Sequence, residues 1–122
     1  MRTTVAILNK PNQNGRIYTK ESFVEFSKII LITLGVCESP EIPLDKVIGR
    51  ATDFIFEDDK LTCEIESFEL TSSSKLAKLL METDTYTYVI GGIGNYKDSY
   101  IENYKLTHLS YIKESESSFR GM

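Results

Sequence analysis

Residues 60–66 read Lys-Leu-Thr-Cys-Glu-Ile-Glu, and no other stretch leaves this chain fewer ways to fold. Leu61, Cys63 and Ile65 alternate with Thr62, Glu64 and Glu66, the period-two pattern of a strand with one buried face. Glu57, Asp58, Asp59 and Lys60 supply a turn before it, so residues 46–70 are expected to form a β-hairpin. Cys63 falls on the apolar side and reads as a buried thiol rather than a reactive one. Neither it nor Cys37 has metal-ligand spacing, and there is one histidine, so no metal or cofactor is expected.

Around this hairpin the pattern alternates between types. Residues 3–9 are rich in β-branched side chains and end in a turn-forming cluster, which predicts a strand. Thr19 then suits a helix N-cap, with Glu21 in the first turn. Phe23, Phe26, Ile30 and Leu34 follow at spacings of three or four, predicting a helix that stops at Gly35. Residues 37–45 hold Pro40 and Pro43 and must be an irregular connection. Residues 71–83 begin with capping serines and carry Leu76, Leu79 and Leu80 at helical spacing, which predicts a second, short helix. Residues 86–96 return to strand character before breaking at glycines, and residues 101–114 give a last strand. The expected architecture is α+β: a mainly antiparallel sheet or partly closed barrel with two helices, in a single domain over residues 1–118. Residues 119–122 are expected as a loose tail.

Composition narrows the function. With 122 residues, 41% of them hydrophobic and 26% charged, the chain can form one ordinary core without staples. Its net charge is −4 and its 14 basic residues are scattered, which disfavours direct contact with nucleic acid. The longest apolar run, residues 29–36, is shorter than the roughly 20 residues that cross a bilayer. The first ten residues lack the features of a secretory signal, so no membrane association and a cytoplasmic compartment are expected.

One segment departs from this ordinary picture. Residues 9–23 read NKPNQNGRIYTKESF, with Asn12, Asn14, Gly15, Arg16 and Tyr18 set directly before the expected helix. Asn and Gly tolerate left-handed backbone, and an Asn side chain can fix a turn by bonding its own backbone. Arg16 offers five donors, and Tyr18 can bury its ring while its hydroxyl finds a partner. Taken alone, this is an ordinary Asn-Gly turn with a solvated arginine. In its place in the chain it resembles the N-terminal motif of the prohead core proteases of tailed bacteriophages, of the T4-like type. Residues 47–70 look like that family's central hairpin, residues 72–96 like its helix and nucleophile-bearing strand, and residues 104–118 like its closing strand. The resemblance covers Val5 to Ser118, and the shared order of the segments carries more weight than any one of them.

The resemblance implies a serine protease that matures capsids, with a histidine base before the central hairpin and a serine nucleophile in the glycine-ended strand. Both side chains are missing at the matching places. Residues 37–47 hold no histidine, and Val89 and Ile90 stand where the serine should fall. The sole imidazole, His108, lies in the last expected strand with Ser110 at i+2, about 7 Å away on one face and too far for a direct proton relay. Ser72, Ser73 and Ser74 are explained as helix caps. Gly91, Gly92 and Gly94 retain the backbone turn that aims oxyanion donors in the family, with no nucleophile beside it, and without a following lysine they form no phosphate loop.

The expected function is that of a degenerate, non-catalytic member: an auxiliary, decoration or head-assembly protein of the virion. It would bind the major capsid protein or other head proteins, in multiple copies or as a homo-oligomer, on the capsid after assembly in the host cytoplasm. Tyr86, Tyr88, Tyr96 and Tyr100 are candidates for the contact surface, or else complete the core. The alternatives are an active maturation protease cleaving scaffold and capsid proteins, and a host-encoded or prophage-derived binding module unrelated to virions.

Overall fold

The computed structural model describes residues 1–25, 27–36, 42, 44–68, 76 and 85–122. Among the described residues seven strands form one mixed sheet. They are β1 (Arg2–Ile7), β2 (Phe23–Glu25), β3 (Ile29–Leu34), β4 (Val47–Glu57), β5 (Lys60–Ser67), β6 (Tyr86–Lys97) and β7 (Tyr100–Lys113). Short 3-10 turns lie at Lys20–Ser22, Leu44–Lys46 and Glu114–Glu116. Neighbours run in the order β1-β5-β4-β3-β7. β6 pairs antiparallel along the whole of β7, so β3 and the short β2 share the other edge of that strand in tandem, both parallel to it.

This corrects the α+β expectation. The protein is mostly β, its sheet is not closed into a barrel, and a two-helix architecture is not supported. The helix expected from Thr19 to Gly35 is instead a turn and two strands. Thr19 does cap: its hydroxyl accepts from the Ser22 amide, and the Ser22 hydroxyl accepts from the Thr19 amide. The cap opens one 3-10 turn, and the chain then extends into β2 and β3. Ile29, Ile30, Ile32 and Thr33 are β-branched, lose side-chain freedom in a helix and fit a pleated surface. β3 lies between β4 and β7 with Ile30, Ile32 and Thr33 all buried, the setting in which a strand reads as a continuous apolar run. Gly35 follows at φ 80°. The second expected helix, residues 71–83, lies outside the described residues apart from Leu76, as do Cys37 and most of the proline-containing connection.

The hairpin matches the alternating pattern. β4 and β5 pair antiparallel, and Leu61, Cys63 and Ile65 all face the core. Asp58 and Asp59 take φ of 50° and 60°, the left-handed pair that a tight hairpin turn needs. Burial pushes the Cys63 thiol up to about 12. A bulge between Thr52 and Ile55 sets Asp53 at positive φ, where its carboxylate meets the Arg2 guanidinium of β1.

β7 carries the centre of the core. Its register against β6 slips at Thr107, because Gly91 faces His108 while Gly92 faces Leu106. An extra residue reverses the alternation of faces. Tyr104 and Leu106 before the bulge therefore point the same way as Leu109 and Tyr111 after it, and all four join the core. His108, Ser110 and Ile112 are buried on the opposite face. The last residues pack on the domain: Phe119 lies 5.7 Å from the Tyr18 ring, and the Arg120 carbonyl accepts from the Gln13 side chain.

Candidate functional site

The N-terminal motif folds around Asn12. Its buried side-chain oxygen accepts from the amides of Asn14 (2.9 Å) and Arg16 (3.0 Å), and its own amide donates to the Arg16 carbonyl. Gly15 completes the turn at φ 73°, a conformation glycine adopts without steric cost. The loop then joins two distant parts of the chain. The Ile17 amide donates to the Ser99 carbonyl, the Ile17 carbonyl accepts from Ile101, and the Gln13 amide donates to Ser118. Arg16 stacks its guanidinium 3.5 Å over the Tyr96 ring at the tip of the β6–β7 hairpin. Tyr18 packs edge-on against Tyr104 and beside Phe23 and Phe119, and burial raises its hydroxyl above the usual tyrosine range. The loop thus clasps the hairpin and the C-terminal residues to the body of the domain, through the backbone of Gln13 and Ile17 and the side chains of Arg16 and Tyr18, with Asn12 and Gly15 holding its shape. Asn14 contributes backbone alone to this arrangement.

Val89 and Ile90, expected at the place of a nucleophile, lie on β6, and the sole imidazole and Ser110 lie on β7 paired to it, while most of residues 37–47 lie outside the described residues. Val89 faces Ser110, Ile90 faces Leu109 and packs on the core, and Gly91 faces His108. The imidazole lies directly over Gly91, where a Cβ would collide with the ring. Its Nδ1 is 2.8 Å from the Thr107 hydroxyl, and 2% of the residue is exposed. Ser110 is one same-face position further along and is also buried. The hydroxyl beside the ring is that of Thr107, which also donates to the Gly91 carbonyl at 3.2 Å, and no trio of metal-ligating side chains converges among the described residues.

Desolvation lowers the His108 pKa from its ordinary 6.5, so the fold favours the neutral ring. The unfolded chain takes up a proton near 6.5, whereas the folded chain does so at lower pH. Stability contributed by the neutral ring is therefore complete above 6.5 and is lost as pH falls from there through the depressed folded value. We expect the urea midpoint to drop across this window, and expect His108→Gln to flatten that part of the profile.

The four candidate interface tyrosines separate into two pairs. Tyr86 and Tyr88 are half-buried and lie against Tyr111, with ring centroids 5.1 and 4.8 Å away. Tyr96 and Tyr100 stand at the hairpin tip, 60% and 49% exposed. Sequence reasoning missed Ile93 beside them, which is 52% exposed. It also treated the glycines as a strand end, although β6 runs through all three to Lys97. Glycine within a strand is a signal of close backbone approach. Here Gly92 meets the Lys105 carbonyl, and Gly94 meets Tyr104.

Among the described residues β1 and β6 are edge strands, as is the short β2. β1 and β6 run in the same direction and approach within 8 Å between Cα atoms, but form no ladder. A cleft of about 220 Å³ opens along this seam, lined by Thr4, Val5, Thr87, Val89, Phe119 and Arg120. Comparisons with family models, with curated proteins and with solved structures return no match to this chain.

Proposed function

We propose that this protein is a non-catalytic structural component of a tailed-phage head, an auxiliary, decoration or assembly protein that binds capsid subunits. One observation supports the non-catalytic reading. The strand that would present a nucleophile offers Val89 and Ile90, and the imidazole beside it is sealed against Gly91. The assignment to a phage head rests on the order of motifs from Asn12 to the closing strand. The exposed hairpin tip with Ile93, Tyr96 and Tyr100 supports a binding role, since aromatic side chains with little conformational freedom are favoured at protein interfaces. Many copies on a symmetric shell would bind with avidity even where each contact is weak.

The test combines the purified chain with the major capsid and scaffold proteins and follows both co-sedimentation and cleavage. We expect stable association with assembled capsid protein, intact partner masses, and no labelling by a serine-directed covalent inhibitor. Specific cuts that vanish in Ser110→Ala or His108→Ala would overturn the non-catalytic reading. Failure to associate with any head protein would overturn the capsid role and favour a binding module unrelated to virions.

A further inference from the structure

β6 offers a long and chemically neutral strand edge. From Tyr86 to Tyr96 it contains no charged residue and no proline, in a chain where 26% of residues are charged. Among the described residues it pairs with β7 alone. Near Thr87 to Val89 its other edge looks across the cleft toward β1, but from Ile90 to Lys97 that edge continues beyond the seam into the protruding hairpin. Natural sheets blunt such an edge with lysines, proline, bulges or a covering element. Among the described residues β6 has none of these from Ile90 to Tyr96. Both register slips in the hairpin are absorbed by β7, where Thr107 is the extra residue in one and Asn103 takes φ 53° near the other. No residue of β6, glycines included, adopts a positive φ. The edge is therefore regular as well as uncharged.

We infer that this edge pairs with the same edge of a second copy of the chain, antiparallel and two-fold symmetric about Gly94. In that register Asn95 faces Ile93 of the other copy, Tyr96 faces Gly92, and Lys97 faces Gly91. Each tyrosine meets a residue with no side chain to obstruct it. Arg16 occupies one face of the Tyr96 ring, and the residue as a whole remains 60% exposed. Directly opposed residues of an antiparallel pair share a face, so Ile93, half of whose surface is open, gains cover from the neighbouring strand. The two-fold axis holds the paired Lys97 side chains about 20 Å apart, beyond the screening length at physiological salt. The seven residues from Gly91 to Lys97 bury less than the roughly 800 Å² per partner of a standard interface, so the dimer is weak and concentration-dependent. This pairing does not depend on the capsid role: a strictly monomeric chain would end it and leave that role intact.

Sedimentation velocity of the full chain, from low micromolar to several hundred micromolar, is expected to show a reversible monomer–dimer equilibrium. In the Ile93→Lys/Asn95→Lys double variant lysine opposes lysine twice, and dimerisation is expected to weaken by at least about tenfold. Circular dichroism checks that the variant is folded. The register is tested separately in a Cys37→Ser chain, where Cys63 stays buried. A mixture of Ile93→Cys and Asn95→Cys chains is expected to oxidise to a covalent heterodimer faster than either chain alone. The inference is overturned by a wild-type chain that stays monomeric throughout, by a folded double variant that dimerises as tightly as wild type, or by no excess crosslinking in the mixture.

Discussion

Replacing Asn12 with alanine is expected to lower the stability of the protein by roughly 2–3 kcal/mol, read as a shift in the urea midpoint at constant slope. The side-chain oxygen accepts two backbone amides, those of Asn14 and Arg16, inside a loop where it is itself buried. Alanine leaves both donors without that partner, and an unmet buried donor costs more than the net worth of the bond it replaces. Two comparisons separate this cause from a general intolerance of the loop. Asn12→Asp keeps an acceptor at the same place and is expected to retain most of the stability. Asn14→Ala is expected to be nearly neutral, because the loop uses that residue's amide and leaves its side chain exposed. The Ile101 amide donates to Ile17 just beyond the loop, so its hydrogen exchange should accelerate in Asn12→Ala. Equal losses in all three variants would show that the acceptor is not what holds the loop.

Gly92→Ala is the substitution expected to do the most damage among the strand glycines, costing ~3 kcal/mol. Its Cβ would run into the Lys105 carbonyl oxygen on the facing strand, with a Tyr104 ring atom 3.0 Å away. A backbone atom in a paired strand cannot step aside without breaking the ladder. Gly91→Ala collides instead with the His108 imidazole, a side chain. The two glycines should therefore respond differently to a second change. His108→Ala is expected to recover much of the loss in Gly91→Ala and none of the loss in Gly92→Ala, a difference that a double-mutant cycle measures directly. Gly94→Ala meets Tyr104 and the Glu102 carbonyl at 3.0–3.2 Å and should cost the least of the three. Rescue of Gly92→Ala by His108→Ala would contradict this packing.

The parts of the fold that were legible in the sequence are those where one face is wet and the other dry. β5 declared itself through Leu61, Cys63 and Ile65 because its intervening residues are polar, and β1 through its β-branched run and the turn that ends it. β3 did not. Apolar residues fill both of its faces, half-exposed Ile29 and partly buried Leu31 as well as buried Ile30 and Ile32, so its sequence shows no alternation, and the spacing of Phe23, Ile30 and Leu34 happens to satisfy a helical template as well. The β-branched content of 29–33 was the available signal in favour of a strand, and parallel pairing with β7, far away in the chain, decided the outcome. At the candidate site, the separation of His108 from Ser110 followed from strand geometry alone. The contact between Arg16 and Tyr96 did not, since it joins residues that periodicity cannot relate. The glycines of β6 were visible, but what they approach depends on the partner strand and its bulges.

The order in which the strands become available has a consequence for biosynthesis. β2 and β3 lie early in the chain, yet both rest on β7, as does β6. A ribosome delivering this chain from its N-terminus exposes the apolar segment 29–34 long before residues 100–113 emerge to take it. Until then β1, β5, β4 and β3 can pair with one another, but the edge of β3 that takes β7 stays open. Non-local closure of this kind is slow, in the range of milliseconds to seconds for small β proteins, and holds sticky surface open meanwhile. Nascent chains stalled before residue 100 should therefore engage chaperones, and release from them should coincide with the appearance of the final strand.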